Sequence, residues 1–194
     1  MKRDIILAGV GGQGILSIAT TIGMAALNTG LHLKQAEVHG MSQRGGDVSS
    51  NLRIADHEIA SDLIPFGQAD LIISVEPMES LRYLPLLSPD GWLITNTRPF
   101  INITNYPEMD KLMAEIEKLD KHIALDAEEI AKNIGSSRSA NMVILGAASP
   151  FLEIDYQELQ EAIRRIFARK GEDVVKLNLV ALQAGRDFAE THMN

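Results

Sequence analysis

The chain has 194 residues, with 18 basic and 26 acidic side chains, a formal net charge of −8 and no cysteine. The absence of cysteine excludes disulfides and Cys-ligated zinc or iron–sulfur clusters within the chain, and the net acidity argues against a nucleic-acid partner. The first apolar run, residues 5–10, is far shorter than the ~20 residues that cross a bilayer. We therefore expect a cytoplasmic protein with no secretory leader and no membrane contact.

The first elements predict a β-α-β unit. Residues 5–8 (IILA) form a short apolar run before glycine, which is typical of a strand buried on both faces. Over residues 13–27 apolar side chains recur at helical spacing, and Gly30 suits the end of that helix. Residues 32–38 then predict a second strand, which completes the unit.

The next stretch interrupts this alternation. Residues 40–46 form a polar loop with three glycines, and residues 47–54 alternate between apolar and polar side chains. With a short apolar pair at residues 59–60, this pattern predicts an extra β-hairpin near residues 47–60, on or beside the main sheet.

The remaining chain alternates strands with helices. Residues 69–75 (ADLIISV) are the best later candidate for a central strand. Further segments are a short helix at 76–86, a turn at 89–91, a strand at 92–95 and an edge strand or irregular connection at 99–107. They are followed by a helix at 110–119, a strand at 121–126, helices at 127–134 and 139–148, and further helices within 155–190. We expect one α/β domain over residues 1–194, with a doubly wound, mostly parallel, Rossmann-like sheet on which the C-terminal helices 155–190 pack.

The turn after the first strand, residues 9–14 (GVGGQG), carries a Gly-x-Gly-x-x-Gly pattern between a predicted strand and a predicted helix. Glycines in this context let the backbone approach an anion at the helix N-terminus, which is the basis of dinucleotide binding. However, Glu37 follows Gly9 by 28 residues, whereas the acid of that fingerprint follows by about 20, and Gln13 is bulky enough to fill the pyrophosphate space. A tight strand–helix crossing or contact with another anion is the favoured alternative.

A second motif, residues 37–47 (EVHGMSQRGGD), follows the second predicted strand and so falls at the carboxyl edge of the sheet, where open α/β sheets bind ligands. Histidine is the side chain whose unperturbed pKa lies near neutral pH, which makes His39 a candidate acid or base. Glu37 is placed to orient it, and Arg44 suits a carboxylate or phosphate. A polar loop that docks on another protein is the alternative explanation.

A third motif, residues 136–141 (SSRSAN), precedes an apolar helix. Two explanations are open. The motif is either a capped helix start, with Ser137 or Ser139 as the N-cap, or part of a site, with Arg138, Ser139 and Asn141 in the same crevice. The helix cap is favoured. The histidines show no metal-ligand spacing, so we predict no metal site.

Taken together, GVGGQGI at residues 9–15 and EVHGMSQRGGDVSSNLRI at residues 37–54 resemble the gamma subunit, or gamma domain, of 2-oxoacid:ferredoxin oxidoreductases. The HGMSQRGG form at residues 39–46 is most similar to the small (beta) subunit of the indolepyruvate branch. The resemblance extends from residue 5 to about residue 148, and the part after Phe151 carries little family signature.

This resemblance implies an enzyme that decarboxylates a 2-oxoacid on thiamine diphosphate, passes electrons through iron–sulfur clusters to ferredoxin and forms an acyl-CoA. It assigns thiamine diphosphate, Mg²⁺ and the clusters to a large alpha subunit, against which the small subunit packs, where coenzyme A approaches. The lack of cysteine agrees with that division. We therefore expect no cofactor on this chain alone, inactivity without the partner, and only indirect contact with ferredoxin.

The resulting hypothesis assigns the residues to two groups. The candidates for catalysis are Glu37, His39 and Arg44, and the candidates that line or brace the face toward the partner are Gly11, Gly12, Gln13, Ser42, Gln43, Gly45, Gly46, Ser139 and Asn141. Two rival hypotheses stay open, namely a stand-alone Rossmann-type protein that binds NAD or a flavin, and a purely structural assembly subunit.

Overall fold

The computed structural model describes residues 1–40 and 45–193. The strands are β1 (Lys2–Val10), β2 (His32–His39), β3 (Asp47–Ala55), β4 (Ala69–Ser74), β5 (Leu87–Asn96) and β6 (His122–Leu125). The α-helices are α1 (Ile15–Asn28), α2 (Pro77–Arg82), α3 (Met109–Ile116), α4 (Ala127–Asn133), α5 (Ala140–Ala148), α6 (Tyr156–Phe167) and α7 (Glu172–His192).

The strands form one sheet in the order β2-β3-β1-β4-β5-β6. Strand β1 pairs in parallel with β4, β4 with β5, and β5 with β6, whereas β3 runs antiparallel to both β1 and β2. Five strands therefore point the same way, and their carboxyl ends meet at one edge of the sheet. We call this the carboxyl edge.

Strand β1 is buried on both faces because helices cover both faces of the sheet. Ile5 and Leu7 point into a large core with α1 and α4 to α7, whereas Ile6 points into a smaller core with α2 and α3. Side chains alternate across a strand, so a run of consecutive apolar residues is what a doubly wound sheet requires. The predicted α/β class with a doubly wound sheet is confirmed.

The predicted hairpin near residues 47–60 is wrong in its position. Strand β3 pairs with β2 instead, from His32 opposite Ala55 to His39 opposite Val48, and residues 56–68 contain no strand. Strand β2 therefore does not lie beside β1 as in a simple β-α-β unit, because β3 is inserted between them. The alternation of apolar and polar residues in β3 is compatible with pairing to residues 59–60 and with pairing to β2. The sequence pattern therefore did not distinguish these two pairings.

The predicted turn at residues 89–91 is also wrong, because β5 continues through it. The register between β4 and β5 shifts between Ala69 and Leu71, as at a β-bulge. A Cβ at Gly91 would lie 2.8 Å from the Ala69 carbonyl oxygen, so the absent side chain permits the close approach.

The C-terminal helices pack on the same face as α1. Helix α6 contacts α1, and α7 lies along α5. Two glycines set the α5–α7 distance, because a Cβ at Gly185 would lie 1.9 Å from the Val143 carbonyl oxygen and a Cβ at Gly146 would lie 2.0 Å from the Leu182 carbonyl oxygen. In the part of the chain that the structure describes, no helix combines the length and apolarity needed to cross a membrane.

We expect Gly185→Ala to destabilise the protein by about 3 kcal/mol, because the added methyl must separate two tightly packed helices. Urea denaturation followed by circular dichroism measures the loss. Gly23→Ala in α1 is the control, since its Cβ would meet only the flexible Leu33 side chain at 3.0 Å, and we expect it to change stability by at most ~1 kcal/mol. Equal effects of the two substitutions would contradict this account of the helix pair.

Candidate functional site

The glycine turn after β1 packs tightly against its neighbours. A Cβ at Gly9 would lie 2.3 Å from Val75 Cγ2, and a Cβ at Gly14 would lie 2.6 Å from Asn141 Nδ2. Gly12 and Gly14 also have positive φ values of 102° and 86°, which favour glycine. These glycines therefore bring the turn close to the end of β4 and to the start of α5.

Gln13 closes this turn with its own side chain. Its Oε1 accepts a hydrogen bond from the Val10 amide at 2.8 Å, and its Nε2 donates to the Val75 carbonyl at 3.3 Å. The side chain thus bridges the ends of β1 and β4, and it uses a turn amide that a phosphate would need. This geometry favours a packed turn over a dinucleotide site.

A cleft of about 370 Å³ opens at the carboxyl edge above the ends of β4 and β5. The glycine turn forms one wall, and the starts of α4 and α5 form the other. Its polar lining comes from Gly12, Gln13, Gly14, Asn96, Glu128, Ser137, Arg138 and Asn141.

Asn96, the last residue of β5, organises the floor of the cleft and is 2% exposed. Its Nδ2 lies 3.2 Å from the Val75 carbonyl oxygen and 3.1 and 2.9 Å from the two carboxylate oxygens of Glu128. Its Oδ1 accepts the Ala127 amide at 3.2 Å. Asn96 therefore ties β4 to the first turn of α4 and holds the Glu128 carboxylate as a fixed acceptor in the cleft.

Two residues of the third motif, Arg138 and Asn141, line the cleft and also a second cavity behind it. Asn141 belongs to the cleft, because its Nδ2 donates to the Gly14 carbonyl at 3.3 Å. Arg138 is exposed at the same cleft. Ser139 is buried, its hydroxyl lies 2.8 Å from that of Ser136, and it lines the same second cavity. Ser139 is the helix N-cap residue, but its side chain forms no capping hydrogen bond.

The second motif lies on the other flank of α1. Oε1 of Glu37 contacts Nε2 of His39, so Glu37 is placed to orient the imidazole, as the sequence predicts. His39 and Gly9 both face Val48, so two strand spacings, roughly 10 Å, separate His39 from the glycine turn. Helix α1 packs over β1, β2 and β3, whereas the cleft opens over β4 and β5. The candidate residues therefore form two groups at one edge.

The segment that connects these two groups is only partly described. Met41, Ser42, Gln43 and Arg44 lie outside the described residues, and with them three of the predicted site residues. Gly45 and Gly46 are described. The Gly46 carbonyl accepts the Gly11 amide at 2.9 Å, and the Gly45 carbonyl accepts a hydrogen bond from Asn102. The two glycine motifs are therefore in direct contact.

A buried acidic cluster at the end of β4 was not found from the sequence. Glu76 is fully buried, and its carboxylate accepts the Phe100 amide at 3.2 Å, the Glu79 amide at 2.9 Å and the Tyr106 hydroxyl. Burial raises the pKa of the Glu79 carboxyl above its ordinary value, although the hydrogen bond from Arg82 opposes the shift. Burial and the hydrogen bond to Glu76 also raise the pKa of the Tyr106 hydroxyl.

Asn96 and Glu128 were missed as well, because each stands alone in the sequence without a motif. Their positions carried a weak signal, since Asn96 directly follows the predicted strand at 92–95 and Glu128 comes three residues after the apolar run 123–125, so both fall at the carboxyl edge. Among residues 1–40 and 45–193, no group of three or more His, Cys, Asp or Glu side chains is arranged to hold a metal ion.

Two solved structures illustrate how widely this fold is shared. The gamma subunit of a keto/oxoacid ferredoxin oxidoreductase from Geobacter sulfurreducens is 24% identical, with a TM-score of 0.71 over 97% of this chain and 99% of that chain. A 2-oxoglutarate:ferredoxin oxidoreductase from Magnetococcus marinus, solved with 2-oxoglutarate, coenzyme A and succinyl-CoA, gives a TM-score of 0.78 at 23% identity. That match covers 98% of this chain but 31% of the Magnetococcus chain. At these identities the likeness establishes the fold.

The sequence then places the chain within a family. The family model for pyruvate ferredoxin/flavodoxin oxidoreductase matches residues 4–188, and indolepyruvate oxidoreductase subunit IorB of Archaeoglobus fulgidus is 38% identical over 97% of this chain and 96% of its own length. The chain belongs to the pyruvate ferredoxin/flavodoxin oxidoreductase family. The expected small subunit of a 2-oxoacid:ferredoxin oxidoreductase is confirmed.

We expect Asn96→Asp to destabilise the protein in a pH-dependent manner. The new carboxylate would face Glu128 at the distances of the present hydrogen bonds, and repulsion raises the pKa of the carboxyl pair in the folded state above its unfolded value of about 4. The penalty is then absent below pH ~4 and grows as the pH rises through the folded pKa, to about 3 kcal/mol at pH 8.

Urea denaturation of Asn96→Asp and wild type at pH 5 and pH 8 measures this difference. The control is the double variant Asn96→Asp/Glu128→Gln, which removes the repulsion and restores most of the stability at pH 8. A loss of equal size at both pH values would contradict the charge-based explanation.

Proposed function

We propose that this chain is the small subunit of an enzyme that oxidatively decarboxylates indolepyruvate or a related aryl pyruvate, with ferredoxin as electron acceptor. The observation that carries the choice of substrate is the 38% identity over nearly the full length to a subunit named for indolepyruvate. The HGMSQRGG form of the second motif, residues 39–46, supports the same branch.

We further propose that a large alpha subunit supplies thiamine diphosphate, Mg²⁺ and the iron–sulfur clusters, and that the complex works in the cytoplasm. These 194 residues contain no cysteine, so they supply no ligand to a Cys-ligated cluster, which supports a partner that carries the clusters. Thiamine diphosphate supplies the carbanion chemistry there. The role of this chain is then to complete and close the shared site, and it is inactive alone.

The cleft at the carboxyl edge fits that role through the chemistry of its lining. The exposed guanidinium of Arg138 suits an anionic group such as a phosphate of coenzyme A, and the Glu128 carboxylate, fixed by Asn96, suits an amide or hydroxyl donor. Asn141 offers a neutral contact at the same wall. We propose that coenzyme A reaches the shared site along this cleft.

The Glu37–His39 pair has a separate role in this proposal. The Glu37 carboxylate fixes the direction in which the His39 imidazole presents its second ring nitrogen to a partner group. His39 is exposed on the edge strand β2, so in this chain it faces outward, toward a partner surface. We propose that His39, Glu37 and Arg44 line the face toward the active site of the large subunit.

Co-expression with a candidate large subunit tests the proposed function. We expect the two chains to co-purify, and only the complex to reduce methyl viologen with a 2-oxoacid and coenzyme A, with kcat/KM for indolepyruvate above that for pyruvate and 2-oxoglutarate. The physical reason is that the electron-carrying centres lie on the partner. Reduction of the dye by this chain alone would refute the proposal.

Substitutions in the second motif separate an active-site role from a purely structural one. We expect His39→Ala and Arg44→Ala to lower kcat of the reconstituted complex by at least tenfold while the two subunits still co-purify. His57→Ala, an exposed histidine beside Asp56 at the opposite edge of the sheet, is the matched control. Unchanged turnover in both variants with intact assembly would leave only the structural role.

A further inference from the structure

Exposed apolar side chains concentrate at the carboxyl edge, in the loop after β5. Phe100, Ile101 and Ile103 are 42%, 70% and 40% exposed, and we call these three residues the apolar tip. Leu16 at the start of α1 and Val38 near the end of β2 are exposed at the same edge. Three exposed apolar side chains within four residues of one loop are typical of an interaction site, whereas single exposed apolar residues are not.

The loop that carries the tip is fastened to the fold although residues 97–108 form no helix or strand. The Thr97 amide donates to the Leu125 carbonyl at 3.0 Å. Further along, the Phe100 amide at 3.2 Å and the Tyr106 hydroxyl both donate to Oε1 of the buried Glu76 carboxylate. One buried side chain thus anchors the loop at Phe100, the first residue of the tip, and again at Tyr106, beyond the tip.

The tip is also linked to the glycine motifs. Asn102, between the apolar residues of the tip, donates to the Gly45 carbonyl, and the next residue, Gly46, accepts the Gly11 amide. Two hydrogen bonds, to the carbonyls of the adjacent residues Gly45 and Gly46, therefore link the tip to the glycine turn that forms a wall of the cleft.

The lengths of similar proteins indicate what packs against this edge. The same fold makes up 31% of one longer chain in the Magnetococcus marinus structure, whereas the match covers 96% of indolepyruvate oxidoreductase subunit IorB of Archaeoglobus fulgidus. Parts that adjoin the fold within one polypeptide in the first protein are therefore supplied by another subunit in the second. We propose that the apolar tip docks into an apolar pocket of the large subunit and fixes the cleft against it, an inference that rests on the proposed function.

The hydrogen bonds that hold the loop in place favour this docking. Ordering a free loop on binding costs free energy, so a tip held beforehand by Glu76 and Tyr106 binds more tightly than a mobile one. Large apolar side chains at the centre of an interface carry most of its binding energy. Glu76 and Tyr106 are positioning residues in this proposal, because they act through the tip.

Titration of the large subunit with variants of this chain, followed by biolayer interferometry, tests the docking. We expect Ile101→Asp to raise the Kd at least tenfold. The matched control is Phe66→Asp, because Phe66 is 78% exposed but precedes β4 and so lies at the opposite edge. We expect this control to bind as the wild type does.

A second variant tests the role of the hydrogen bonds to Glu76 without a substitution in the tip. Tyr106→Phe keeps the ring and removes the hydroxyl that donates to Glu76, and we expect a several-fold rise in Kd with an unchanged circular dichroism spectrum. Normal binding of Ile101→Asp, or weaker binding of Phe66→Asp than of Ile101→Asp, would overturn the docking proposal alone. If the wild-type chain does not bind the large subunit, the proposed function is overturned and the docking proposal with it.

Discussion

The carboxyl edge depends on one carbonyl oxygen at the end of β4. The Val75 carbonyl accepts hydrogen bonds from Gln13 Nε2 and Asn96 Nδ2, at 3.3 and 3.2 Å. Two side chains from neighbouring strand ends thereby converge on it, one closing the glycine turn and the other holding Glu128. The three parallel strands at the centre of the sheet are therefore joined at the point where the cleft opens.

The next residue organises the opposite side of the same edge. The buried carboxylate of Glu76 accepts three hydrogen bonds, two of which come from the loop of residues 97–108. A buried carboxylate is costly unless it is hydrogen-bonded, so this loop is part of the folded core in energetic terms. Val75 thus fixes the cleft on one side of the edge, and Glu76 fixes an exposed apolar surface on the other. A subunit that contributes one wall of a shared site requires both features.

The fold was predictable from the sequence where the pattern is strong. The consecutive apolar run of β1 predicts burial on both faces, and the helical spacing of α1 predicts the crossing that follows. The partner of β3 was not predictable, because alternation marks a half-buried strand without stating its neighbour. The structure pairs β3 with both β1 and β2, so a hairpin exists, but between residues 32 and 55.

The site was predictable only in part, for a related reason. Motifs of adjacent residues, such as the glycine turn and the Glu37–His39 pair, are visible in the sequence. Asn96 and Glu128 are 32 residues apart and meet only because β5 and α4 end and begin at the same edge. Glu76 resembles an ordinary exposed helix start in the sequence, and only the tertiary contacts of Phe100 and Tyr106 bury it.

The central claim is that the carboxyl edge is the face that this chain contributes to a shared active site. Hydrogen exchange of the chain alone and in complex with the large subunit tests it most directly. We predict slower exchange in the complex at residues 9–14, 96–103 and 137–141, with little change at residues 56–68 on the opposite edge. Protection confined to residues 56–68, or to the outer surface of α6 and α7, would contradict the account.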